Sequence, residues 1–524
     1  MQSNSVLING VIALLVRINL WYEHSILFRG VGAIKNAARG SFFLSGFMRT
    51  SFRDYWEGAL LLRLLAFFAS GVMRLFRRGV LAFTGLNESS VNRRVYLYAR
   101  NFPFAETFAG KAVTGSAPYR LIAWFFEGRI ALYKTIYMLF LCGALMIPGH
   151  FWNNGILLIS ALFFAGIFAV RWALSGEALS FMFISPALVL FVFFCALSIV
   201  TGYGGGDSLR VFLIFFACVV HSLLVTIMMR NRDELHVFIK LIAVTLAITA
   251  LFGFYQLAVG IPIRAEFTDL LANPGMARLH STMGGNPNND AQAWAMLLPF
   301  VLAMIIAVRC DVKRTLLLAA VGICIAAFAL TFSRAGYVAL MAGVGIFVLM
   351  AAPRLVPIAL IVLVLAIPFI PSVFIDRLLT LGTDTSSLYR FNIWRGVMDM
   401  LRDYWVRGIG MGPVAFAQTY RNYFHGEAWR ALHAHNTFLD IIVHSGIGAL
   451  IAFLAYLFRL IKRGISAHMN AACREYKLFT AAGMASLTVF IAFGVGEYVW
   501  FYPRVMLVFW ICAGLLTGVT EMKD

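Results

Sequence analysis

Charge is what this sequence has least of. Charged residues make up 13% of its 524 positions and hydrophobic residues 61%, where a soluble globular chain carries about 25% charged. That balance excludes a soluble enzyme and a disordered tail. Acids are the scarcer sign, 24 Asp and Glu against 43 Lys and Arg, for a net charge of +19. Lysine is nearly missing: 8 of the 43 basic residues are Lys and 35 are Arg. Cysteine is thin too. Its seven copies (142, 195, 218, 310, 324, 473, 512) are scattered without a CxxC pair, so a disulfide scaffold is excluded and no disulfide is expected. The N-terminus MQSNSVLING has neither a basic n-region nor an A-x-A site, so no cleavable signal peptide is expected. In a chain this apolar, surplus positive charge belongs on the cytoplasmic side and against anionic lipid rather than on nucleic acid.

What is present is a series of apolar runs long enough to cross a bilayer. The expected fold is an all-α polytopic membrane protein with about twelve spans, at roughly 133–149, 152–171, 178–201, 209–229, 236–260, 291–308, 315–333, 335–352, 355–371, 437–458, 477–496 and 500–519. With residue 130 inside, every inner connection carries Arg or Lys and all eight Lys fall inside, as the positive-inside rule requires. Both termini are then cytoplasmic. Residues 1–130 form a separate basic region: up to Lys134 the chain holds 17 Lys and Arg against 6 acids. Within it, 58–83 reads as an amphipathic helix lying in the interface, and 6–16 is similarly too short to span. Residues 131–524 form the spanning domain.

Two outer loops are long, 261–290 and 372–436, and all nine of their basic residues are Arg. Arg is a planar fork suited to phosphate or carboxylate, whereas Lys is a point charge. Pairing with the loop acids Asp376, Asp384, Asp399, Asp403 and Glu427 would account for many of these arginines, but not readily for Arg278 or for Arg334 at the outer end of a span.

Four outer motifs stand out. RLHSTMGGNPNN (278–289) is a tight turn, with Asn286 and Asn288 beside its Pro, leading into a helix start that can face an anion or simply return the chain to the membrane. LTFSRAG (330–336) places Arg334 where a charge must either face a polar cavity or snorkel. SLYRFNIWR (387–395) sets Arg390 and Arg395 around Trp394 ahead of RGIGMG (407–412), suiting sugars and phosphates but equally an amphipathic loop helix. HAHNTFLD (433–440) opens the tenth span. There His435 can take a proton from a hydroxyl near neutral pH, Asn436 can cap the helix, and His433 and Asp440 can support it or be structural. Two His without further ligands do not make a metal site, so no metal and no cofactor are expected. A base and several guanidinium forks on one face suit transfer of a sugar from a lipid-linked pyrophosphate, with arginines on the pyrophosphate and His435 as base.

HAHNTFLDIIVHSGIGAL, TFSRAG, GGNPNNDAQAWAMLLP and RFNIW…RGIGMGPVAF together resemble the O-antigen ligase and polymerase superfamily over about residues 135–520. The resemblance implies a GT-C-type fold of twelve spans. It implies metal-independent glycan transfer from undecaprenyl diphosphate on the extracytoplasmic face of the bacterial inner membrane. It also implies that His435 is the base and that two arginines hold the pyrophosphate, with Arg278 and Arg334 the best matches and Arg390 a third. The chain departs from the family where an acid often precedes the Gly of the tenth span: His444 stands there, and Asp440, one helical turn earlier, is the possible substitute. The basic 1–130 region is outside the usual pattern, and the C-terminal domain common in related protein O-oligosaccharyltransferases is not expected. The implied partners are a lipid-linked glycan donor, a glycan or glycolipid acceptor and membrane lipid. A ligase using a lipid A–core acceptor leads; a repeat-unit polymerase, a protein glycosyltransferase and a non-catalytic glycan transporter are the alternatives.

Overall fold

The computed structural model describes residues 60–86, 130–175, 184–229, 231–261, 278–356, 361 and 385–522. Among these, all regular structure is helical. The long apolar runs form α2 (Leu132–Met146), α3 (Gly155–Ser175), α4 (Pro186–Thr201), α5 (Gly205–Met228), α6 (Arg232–Val259), α7 (Pro287–Ala307), α8 (Asp311–Leu330), α9 (Arg334–Ala351), α12 (Thr437–Asn470), α13 (Arg474–Gly496) and α14 (Pro503–Glu521). Nine of these are long and apolar enough to cross a membrane; α2 and α4, at 15 and 16 residues, are shorter. The protein is therefore an integral, polytopic membrane protein. Eleven of the twelve expected spans coincide with a helix, and the twelfth, 355–371, lies largely outside the described residues.

The amphipathic segment expected at 58–83 is helix α1 (Leu60–Leu86). It lies against α3, with the Arg77 guanidinium 5.7 Å from the Trp172 ring, and leaves Phe67, Phe68, Leu75 and Phe83 exposed. The stretch 6–16 lies outside the described residues. The loop expected at 372–436 holds α10 (Thr385–Tyr404) and α11 (Pro413–Tyr420), which build a small apolar core of their own around Ile393, Val397 and Phe416.

Helices α7, α13 and α14 fill the centre of the bundle, and α14 presents buried residues along nearly its whole length. Polar contacts gather alternate helix ends at two opposite ends. At one end, Arg504 at the start of α14 is fully buried and donates to the carbonyls of Ala144 and Ile147, at the end of α2, and of Thr282, before α7. At the other, Lys134 of α2 pairs with Glu234 of α6, and Arg232 with Glu475 of α13. Mid-span His221 is buried and satisfied by Tyr137 Oη (3.0 Å) and Ser160 Oγ (3.2 Å).

One break in the bundle positions the loop. Helix α12 kinks at Gly446 (φ 80°), which frees backbone groups from the helix ladder. Segment 405–410 takes them up: Ile409 N donates to Val443 O, Gly410 N to His444 O, and Ile447 N donates to Trp405 O, at 2.9, 3.0 and 2.8 Å. The approach needs glycine on both sides. A Cβ on Gly446 would stand 2.0 Å from Val406 O, and one on Gly408 (φ 72°) 2.4 Å from His444 O. The RGIGMG stretch is thus the clasp that ties the loop to α12.

Gly446→Ala therefore combines a left-handed backbone, costing about 1–3 kcal/mol, with a steric clash. Its thermal midpoint in detergent, followed by fluorescence-detected size exclusion, is expected to fall by several degrees. Gly345→Ala on α9, where an added Cβ meets open space, is expected to match wild type. Equal midpoints for both variants would contradict the clasp.

Candidate active site

The first wall is the turn before α7. Asp290 in the first turn of α7 reaches back to accept from Ser281 N (2.7 Å) and Met283 N (3.1 Å), which folds 281–290 into a closed loop. Gly284 and Gly285 turn through φ 79°. Asn286 is the helix cap, accepting from Asn288 N at 3.0 Å; its role is therefore in the loop itself. Upstream, Leu279 N donates to Leu330 O, and Arg278 Nε donates to Thr331 O at 2.8 Å. This fastens Arg278 to the TFSRAG turn, where Ser333 caps α9 and half-buried Arg334 is its first residue. The other arm of Arg278 donates to Asn288 Oδ1 at 2.8 Å.

The second wall is the loop ahead of α12. Asp440, buried one turn into the helix, accepts from Ala434 N at 2.9 Å and so folds 434–440 back on itself. Asn436 accepts from Phe438 N and Leu439 N, and donates to Val495 O at the end of α13. Between these two fixtures His435 is held at φ 50°, a conformation uncommon for a residue with a side chain and concentrated at functional sites. Its backbone N donates to His433 Nδ1 at 3.1 Å, and the two imidazole centroids are 4.0 Å apart. Trp394 Nε1 of α10 donates to Ala434 O, and the Tyr389 ring stands edge-on to His435. Asp440 lies 4.0 Å from His444 Nδ1, but its close hydrogen bond is to the loop. That bond fixes the approach to His435.

Both walls meet at a residue absent from the sequence-based candidates. Glu497, just past the end of α13, is buried. One carboxylate oxygen takes Arg390 of α10 and Asn288 Nδ2 (3.1 Å); the other faces His435 Nδ1 at 3.4 Å. Arg278 contributes its field as well. Thr437 Oγ1 donates to the Glu497 carbonyl at 2.9 Å and accepts from Val499 N, which locks the start of α12 to the end of α13. Burial pushes the Glu497 carboxyl up, but Arg390, His435 and Arg278 outweigh it and hold the group at about 2. A lone acid in the apolar run FGVGEYVW is the signal that could have found it.

These contacts dictate protonation. A carboxylate only accepts, so the Nδ1 facing it carries the imidazole proton and Nε2 is left as the acceptor. His433 accepts on Nδ1 from a backbone amide, and burial lowers its pKa well below the usual imidazole range. It stays neutral beside His435. The cluster thus holds Arg278 and Arg390 against one carboxylate.

Arg278, Arg390, Asn288, His433, His435, Asn436 and Asp440 are brought together, and Arg334 starts α9 beside them. Arg395 is not gathered. Five residues after Arg390 it falls about 140° around α10 and is exposed. Of the loop arginines expected to pair with loop acids, Arg402 does so, with Asp399. Arg407 instead donates to Tyr203 Oη, and Arg430 lies over Trp429.

The family model described as O-antigen ligase matches residues 319–454, about a quarter of the chain. The matched stretch runs from α8 to beyond the kink of α12. It includes Arg334, Arg390 and His435, and leaves out Arg278 and Glu497. No curated protein matches the chain.

Glu497→Gln is expected to destabilise the protein at neutral pH by on the order of 3 kcal/mol, the value of a shift from about 4.5 to about 2. Because the folded pKa is depressed, this stabilisation is complete above about pH 5 and is lost as pH falls through about 2. The gap in thermal midpoint between wild type and Glu497→Gln should therefore close on acidification from pH 5 toward pH 2. A gap that stays constant, or is absent at pH 7, would contradict the assignment.

Proposed function

With the O-antigen ligase match of residues 319–454 as premise, we propose that the protein moves a glycan from undecaprenyl diphosphate onto the hydroxyl of a lipid A–core type acceptor. The observation that carries this reading is the convergence of His435, Glu497, Arg390 and Arg278 at one end of the bundle. That end is the extracytoplasmic face of the bacterial inner membrane, because Lys134, Lys313, Lys462 and Lys477 sit toward the opposite end.

In the transfer step His435 Nε2 takes the acceptor hydroxyl proton as the oxygen attacks the anomeric carbon. The bond from that carbon to the diphosphate oxygen breaks, and its electron pair leaves with undecaprenyl diphosphate. Glu497 holds the imidazole tautomer and stabilises the imidazolium that forms, as a carboxylate does for a general-base His. Arg278 and Arg390 take the growing charge on the leaving diphosphate, with Arg334 joining them from the start of α9. Guanidinium forks fixed by Thr331, Asn288 and Glu497 are preorganised, so they supply this stabilisation without a metal ion. Asn436, Asp440, Asn286 and His433 hold the loops. Of the basic region 1–130, helix α1 is read as resting on the cytoplasmic surface of the membrane, and the remainder up to residue 129 lies outside the described residues.

Purified protein given undecaprenyl-diphosphate glycan, lipid A–core and EDTA is expected to transfer, and His435→Ala to lose about 10²–10⁴-fold of the rate. Equal rates for mutant and wild type would make His435 structural. Offering repeat-unit donors as the sole acceptor in parallel separates ligase from polymerase, since a ligase leaves them unjoined.

A further inference from the structure

Behind His433 lies a partly open cavity of about 170 Å³, between α4, α5, the kink of α12 and the start of α14. By liquid volume this is room for roughly six waters, the size of one sugar ring. Tyr498, Trp500 and Phe501 supply aromatic wall, and Arg210 and Asn154 also line it. The same Tyr498 and Phe501 rings pack against His433 at 5.8 and 4.3 Å. Those rings and then His433, which packs on His435, separate the cavity from the proposed base.

One buried polar atom on its walls lacks a partner: Trp500 is 6% exposed and its Nε1 is unmatched. His444, 3% exposed, has the backbone of Gly412 and Asp440 beside its ring. Buried donors without partners are rare because each forfeits its hydration. They also suit a hydrocarbon tail badly. The only cation on the wall, Arg210, already pairs with Asp207, so the cavity is a poor match to a diphosphate. Aromatic faces with a few convergent hydrogen-bonding groups match a neutral ring that has apolar C–H faces and a polar rim.

We propose that this cavity binds one pyranose ring of the acceptor glycan, with Trp500 Nε1 hydrogen-bonding one of its hydroxyls. The proposal rests on the transferase reading for the role of the sugar, but its test does not need transfer.

Protein in phosphatidylcholine nanodiscs would be examined by saturation-transfer NMR with methyl glucoside, galactoside, N-acetylglucosaminide and heptoside as probes, and mannitol as the non-ring control. At least one pyranoside should give signal above mannitol. Trp500→Phe, which keeps the ring and removes the N–H, should cut that signal at least threefold. It should also raise the acceptor KM three- to tenfold with the donor KM unchanged. Met506→Trp, which fills the cavity, should abolish the signal while the thermal midpoint is retained. His435→Ala should still bind the pyranoside, so loss of transfer there with binding intact separates base from subsite. Binding intact in wild type with no transfer to any acceptor would sink the transferase reading and leave the subsite standing. No signal above mannitol, or equal signal in wild type, Trp500→Phe and Met506→Trp, would overturn the proposal.

Discussion

A carboxylate buried at the end of a membrane helix cannot stand alone, because removing it from water costs several kcal/mol unless partners repay it. Glu497 is repaid by Arg390, Asn288 and His435, and each comes from a different part of the chain. That requirement ties the loop helix α10, the turn before α7 and the opening of α12 to the end of α13. Through Asn288 it also reaches Arg278. The same ion pairs that hold the elements together leave a partly exposed imidazole with its free nitrogen turned away from the carboxylate.

The supporting structure repeats one device: a residue inside a helix's first turn reaches back to hold the loop before it. Asp290 does this for 281–283 and Asp440 for Ala434. Each loop then carries one side chain of the proposed site, Arg278 or His435, in a backbone setting that its own helix defines. The Gly446 kink does the converse by giving up helix hydrogen bonds so that 405–410 can dock. A site built from loops is thereby held by rigid elements, which is what preorganised electrostatic stabilisation requires.

The bundle was legible because a span is specified locally, by length and apolarity. The helix start at Thr437 was legible through its Asn436 cap. His435, Arg278 and Arg390 were legible as polar groups on one face. Glu497 was marked only as a lone acid in an apolar run, because its meaning lies in partners 62, 107 and 209 residues away. Arg504 was missed for the same reason, being bound to carbonyls on α2 and before α7. Arg395 looked equivalent to Arg390 in sequence and is separated from it only by helical phase. RGIGMG looked like a plain turn, and its glycines are spent on close approach to α12.

The central claim is that Glu497 acts through His435. A double-mutant cycle on the transfer rate tests it most directly, using His435→Ala, Glu497→Gln and the pair. The account predicts strong non-additivity: Glu497→Gln slows wild type markedly but slows His435→Ala little further. Losses that simply add would mean that Glu497 and His435 work independently, and the account would be wrong.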